Sequence, residues 1–111
     1  MNWIELNSVH QLAEIKEFSK SRVQVIFKHS TRCSLSTIVK NRLERIEQPK
    51  STDFYFLDLI QFRSLSNKIA EDFAIPHESP QILLIKNMEC VYEESHNGIN
   101  MAEIAEQVNS N

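Results

Sequence analysis

The stretch Arg22-Val23-Gln24-Val25-Ile26-Phe27-Lys28-His29-Ser30-Thr31-Arg32-Cys33-Ser34-Leu35-Ser36 decides how this chain is read. Its first part, residues 22–29, is enriched in β-branched and aromatic side chains and reads as a buried strand. From Ser34 the period changes. Leu35, Ile38, Val39, Arg42, Leu43 and Ile46 fall on one helical stripe, which predicts a helix over 34–46 that Pro49 stops. Cys33 stands at the junction. The unpaired N–H groups of a helix start carry partial positive charge, so a thiolate there is stabilised and becomes a usable nucleophile. The alternative is a small apolar residue filling a gap, since free cysteine is often buried. The polar flanks on both sides weigh against that.

Working outward, Ser8-Val9-His10-Gln11 has the form of a capping box and opens a helix over 8–19, carried by Val9, Leu12, Ile15 and Phe18. A second strand is predicted over 53–59 and a helix over 64–73, with Pro76 beyond it. Strands at 81–85 and 90–93 flank Lys86-Asn87-Met88-Glu89, which reads as a hairpin turn. A closing helix covers 100–108. The order α-β-α-β-α-β-β-α implies an α/β fold: a four-stranded mixed sheet flanked by helices, in a single domain spanning 1–111.

Composition narrows the function. The 111 residues are 41% hydrophobic and 24% charged, with a net charge of −3, which suits one soluble domain and argues against nucleic-acid binding. No stretch has signal-peptide form or the roughly 20 apolar residues that span a bilayer, so a cytoplasmic protein without a membrane partner is expected. In that reducing compartment two cysteines are not expected to pair, and their spacing fits no metal site.

In such a sheet the first two strands are parallel and the helix between them starts at their C-terminal edge, where ligands of open α/β sheets collect. Cys33 therefore belongs at an exposed mouth. Thr31 or a backbone group caps the helix, while Arg32 beside the sulfur and His29 nearby favour the thiolate. Ser36 makes Cys33-Ser34-Leu35-Ser36 a Cys-x-x-Ser run: its hydroxyl can bond the thiolate or be an ordinary first-turn polar group, but it supplies no resolving sulfur. Cys90 is predicted about five strand residues, some 15 Å or more, from the Cys33 edge, beyond the roughly 7 Å Cα separation a disulfide needs. It reads as a core thiol. Ser79-Pro80 opens the third strand, where a proline is tolerated. A cis bond there would expose the Ser79 backbone beside Cys33 for pairing with an extended substrate, although a trans bond is the commoner form. His77 precedes Pro80 in position to line the cleft. A histidine in such a position is more often a satisfied packing or surface residue than a catalytic base.

The element order, the helix-starting cysteine and the strand-opening proline together resemble the thioredoxin fold. His29-Ser30-Thr31-x-Cys33, the segment 74–84 around His77-Glu78-Ser79-Pro80-Gln81, and Ser95-His96 resemble the bacillithiol-system redox-active protein family, the YtxJ-type monothiol bacilliredoxins, over essentially the whole chain. The resemblance implies that Cys33 is the redox cysteine and Pro80 a cis-proline; by their positions around that pair, Thr31, Arg32, Ser34, Ser36 and Ser79 are the candidate substrate-supporting residues and His29 and His77 the candidate tuning residues. Ser34 stands where family members usually carry proline or a small residue. The implied activity is thiol–disulfide exchange with bacillithiol, a cysteine–glucosamine–malate thiol that serves as co-substrate. No tightly bound cofactor is expected. The implied partners are bacillithiolated client proteins and a low-molecular-weight thiol, acting on a monomer. Lys28 and Arg32, near the mouth, are the expected ligands for malate carboxylates, whereas Arg42 and Arg45 fit a helix C-terminus. Two other readings stay open: an iron–sulfur carrier of the monothiol glutaredoxin type, and a binding module whose cysteine is incidental.

Overall fold

Helix boundaries follow from local chemistry. In the computed structural model, which describes residues 1–110, Ser8 caps α1 (Val9–Phe18). Its hydroxyl accepts from Gln11 N–H at 3.2 Å, and the Gln11 side chain returns a bond to Ser8 N–H at 3.2 Å. The strand β2 (Val23–His29) leads into α2 (Ser34–Glu44), then β3 (Thr52–Asp58) and α3 (Arg63–Phe73). Ala74 ends α3 in the left-handed region (φ 55°), with Ile75 N–H returning to Ala70 O at 3.0 Å. The hairpin β4 (Gln81–Lys86) and β5 (Glu89–Ser95) turns on Asn87 and Met88, both at positive φ, and is tied to the end of α1 through Ser19. A short 3₁₀ turn (His96–Gly98) precedes α4 (Met101–Asn109), whose cap is the Asn100 side chain accepting from Glu103 N–H at 2.9 Å.

The sheet has five strands, in the order β1-β3-β2-β4-β5. The strand added to the predicted four is β1 (Trp3–Glu5), parallel to β3 on the outer edge. Its three residues are too few to show a period, and two of them are exposed. β2 runs parallel to β3 and antiparallel to β4, and β5 forms the other edge. Otherwise the elements fall within a few residues of the predicted ones.

Both faces of the sheet are covered, which is why the central strands read as continuous apolar runs. On one face, α1 and α3 pack Leu12, Ile15, Leu65 and Ile69 over Ile26, Leu57, Leu83 and Ile85. On the other, α2 and α4 pack Val39, Leu43, Met101 and Ile104 over Val25, Phe27, Phe54 and Ile82. Burying a side chain of this size removes it from water for about 1.5–3 kcal/mol each. The predicted stripes were too wide. Val9 and Phe18 at the two ends of α1, Ile38 on the outer side of α2 and Ile46 beyond its end are exposed.

Candidate active site

Cys33 is the N-cap residue of α2 and is half-buried, between exposed Arg32 and exposed Ser34. Its extended backbone (φ −110°, ψ 113°) starts the helix: Cys33 N–H donates to Ser30 O at 3.2 Å, and Cys33 O accepts from Thr37 N–H at 3.3 Å. No side chain caps α2. Thr31 therefore does not do so, contrary to expectation, and is exposed. The sulfur occupies the position at which serine or aspartate would satisfy the first-turn N–H groups. The first turn holds no acidic residue that would oppose a thiolate.

Ser36 is fully buried and does not serve the sulfur as the Cys-x-x-Ser reading allowed. Its hydroxyl accepts from Ser30 N–H at 3.1 Å and lies 2.7 Å from His29 Nδ1. Ser30 Oγ in turn accepts from Arg32 N–H at 3.3 Å. These bonds fasten the 29–36 loop to the strand it leaves. His29 is buried against Phe27 and Phe56, with ring centroids at 5.9 and 5.2 Å. Burial, with Lys40 nearby, pushes its pKa below the ordinary value. It stays neutral at neutral pH and contributes no positive charge to the thiolate, which corrects the expected role. Its place is structural: its Nδ1 shares a hydrogen bond with the Ser36 hydroxyl.

The Ser79–Pro80 bond is cis. Gln81 stands opposite Lys28 in the β2–β4 register, so Pro80 and Ser79 continue alongside His29 and Ser30, at the root of the Cys33 loop. Ser79 is half-buried, and its hydroxyl is buried without a partner. Pro80 O accepts from His96 N–H at 3.0 Å, and His96 lies 3.5 Å from Glu78. Arg42 lies in the last turn of α2, as expected for a cation at a helix C-terminus, and its guanidinium also reaches across to Asn97 O (3.3 Å) and Ile99 O (2.7 Å), bracing the 96–99 turn against α2.

Lys28 corrects another expectation. It is 0% exposed and cannot meet a ligand at the mouth. It shares the α1/α3 face with Ile26, two residues away, and its ammonium bonds Ser66 O at 3.1 Å and His77 Nδ1 at 3.3 Å. Burial lowers its pKa to about 8. His77 is likewise depressed, by desolvation and then by Lys28 and Arg63. It faces Lys28 and Ser66 rather than standing free in a cleft. Arg32 remains as an exposed cation beside the sulfur. Ser66 escaped the sequence reading, and so did the burial of Ser36. Ser36 lies three and seven residues before Val39 and Leu43, which already placed it on the buried stripe. Ser66 has the same spacing before Ile69 and Phe73 on α3, so the stripe placed it inward as well.

Cys90 is half-buried on β5 opposite Ile85, and Ile85 stands opposite Gln24. Gln24 is five residues before His29, so the two cysteines lie at levels about 16 Å apart along the sheet. Both are free. Among the described residues, no three of His, Cys, Asp and Glu gather where a metal ion could be held, and no helix is long and apolar enough to cross a membrane.

With this geometry in place, comparison with known proteins is direct. The family described as monothiol bacilliredoxin BrxC matches residues 4–104. The chain belongs to that family. A solved thioredoxin-fold protein described as a candidate oxidoreductase superposes with a TM-score of 0.79 at 30% identity, covering 94% of this chain and 91% of the other. Spinach chloroplast thioredoxin f follows at TM-score 0.76 and 15% identity, covering 97% and 94%. Schistosoma mansoni thioredoxin gives 0.74 and 18%, covering 96% and 93%. These last two share the fold. Membership of the bacilliredoxin family and the thioredoxin fold together place the chain among thiol–disulfide redox proteins.

Proposed function

We propose that this bacilliredoxin removes bacillithiol from mixed disulfides on client proteins, using Cys33 as its one reacting thiol. The observation that carries the reading is the placement of Cys33 at the uncapped start of α2, with the second cysteine at the far end of the sheet. The Cys33 thiolate attacks the bacillithiol sulfur of the mixed disulfide. The client–bacillithiol S–S bond breaks, the client sulfur leaves with its electron pair and takes a proton from water, and Cys33 is left in a mixed disulfide with bacillithiol. A second thiolate then attacks the bacillithiol sulfur, is oxidised to a disulfide with it, and releases the Cys33 thiolate. The second thiol supplies the reducing equivalents. The backbone at Ser79, beside the Cys33 loop, receives the client as an added strand. Arg32, exposed next to the sulfur, meets the malate carboxylates.

Intact-mass analysis after incubation with oxidised bacillithiol tests this. One bacillithiol adduct is expected, mapped to Cys33, absent in Cys33→Ser and unchanged in Cys90→Ser. A dominant adduct on Cys90, or none on the folded protein, removes the assignment. Iron and visible absorbance after anaerobic purification with thiol would instead support cluster carriage.

A further inference from the structure

Lys28 is a buried cation for which the exchange reaction, as proposed, has no use. Its ammonium makes no ion pair with a carboxylate among the described residues; its partners are a helix carbonyl and an imidazole. A desolvated, unpaired charge is costly, and an apolar side chain of the same length would be accommodated in this core more easily. What the ammonium does have is geometry. An ammonium is donor-only, so a bond from Lys28 to His77 requires Nδ1 to be the acceptor and puts the ring proton on Nε2. The Ser66 hydroxyl, 3.3 Å from the same nitrogen, fits that assignment.

The clamp acts on one short segment. Directly opposite Lys28 in the sheet, Gln81 accepts from Glu78 N–H (3.4 Å) and donates to Pro76 O (3.1 Å). Lys28 holds His77 between those two contacts. Residues 76–80, which carry Ser79 and Pro80 to the side of the Cys33 loop, are thus fixed to β2 and α3 from below. We propose that Lys28 is a positioning residue for exchange: through His77 it sets the placement of the 76–80 segment against which a disulfide substrate aligns. The proposal rests on the thiol-exchange reading above and names the part of the protein that orients the disulfide for in-line attack.

The charged groups bearing on His77 are Lys28 from β2, Arg63 from α3 and Glu78 from its own loop, the last already beside His96. The test compares wild type, Lys28→Met, His77→Leu and His77→Asn. Asparagine keeps an acceptor near the place of Nδ1, and leucine does not. Two rates are measured on each: alkylation of Cys33 by iodoacetamide, which needs no alignment, and exchange with a peptide–bacillithiol mixed disulfide, which does. The expected result is alkylation within about twofold of wild type throughout. Exchange should fall about tenfold in Lys28→Met and His77→Leu, a modest share of what misplacing a reacting partner can cost, with recovery in His77→Asn. The imidazole resonances of His77 give an independent readout: loss of the Lys28 charge should move its titration up toward about 6.5. Exchange that falls no further than alkylation, equal behaviour of His77→Asn and His77→Leu, or an unmoved His77 titration overturns the clamp. If the wild type ignores the bacillithiol disulfide but reacts with a peptide–cysteine disulfide, the co-substrate assignment fails, and the clamp is then judged by the same comparison on that second disulfide.

Discussion

Cys33 and Cys90 are the same chemical group in two settings. Cys33 ends a loop and starts a helix, with the helix N–H groups ahead of it and solvent to either side. Cys90 lies in a strand, donates its S–H to Tyr92 O at 3.3 Å, and packs against the α1/α3 core. Burial pushes the Cys90 thiol pKa up, with Glu93 adding to the effect against the hydrogen bonds it makes. On the proposed reading, thiol reactivity follows from the backbone around the sulfur rather than from the residue type.

The largest test of that contrast is reaction selectivity. Treated with limiting iodoacetamide at neutral pH, the folded protein should be labelled on Cys33 at least about tenfold faster than on Cys90. In denaturant the two rates should converge. Peptide mapping by mass reads both, and a Cys90 rate equal to that of Cys33 in the folded state removes the contrast.

A smaller effect is expected when the mounting of Cys33 is weakened without touching sulfur. Ser36→Ala leaves Ser30 N–H and His29 Nδ1 without their shared partner. Losing buried hydrogen bonds of this kind costs about 1–3 kcal/mol. Each kcal/mol is worth roughly 4–8 °C in melting temperature for a domain of this size. The corresponding change under Cys90, Tyr92→Phe, leaves the accepting carbonyl in place and should shift melting far less. Equal shifts would show that the 29–36 loop needs no such fastening.

The third effect is a slope. Lys28 titrates at about 8 in the folded protein against an ordinary 10.5. Between those values the unfolded chain holds the proton that the native chain has lost, so stability rises with pH across that window. Below pH 8 the full cost of the buried charge is present. Lys28→Met should therefore melt at or above the wild type at neutral pH and lose the rise between pH 8 and 10.5. A variant that melts well below wild type at pH 7 would make Lys28 a stabilising residue instead.

Much of this was legible in the residues. The run from Val23 to His29, the period change at Ser34 and the proline at 80 placed the sulfur at the sheet edge, and the Asn87-Met88 turn placed Cys90 at the opposite end. β1 was not legible, because three residues on an edge, only Trp3 of them half-buried, leave no pattern. Lys28 misled for a different reason. Charge is ordinarily a sign of solvent, and it outweighed the strand alternation that puts Lys28 on the α1/α3 face with Ile26. The neutral state of His29 and the bracing by Arg42 depend on neighbours brought in by folding, Phe56 and the 96–99 turn, which no local pattern announces.

The outer strand β5 carries Glu89, Glu93 and Glu94 along an otherwise unpaired margin. Such a row of carboxylates repels a second copy that approaches edge-on, so the polypeptide guards itself against stacking into fibrils.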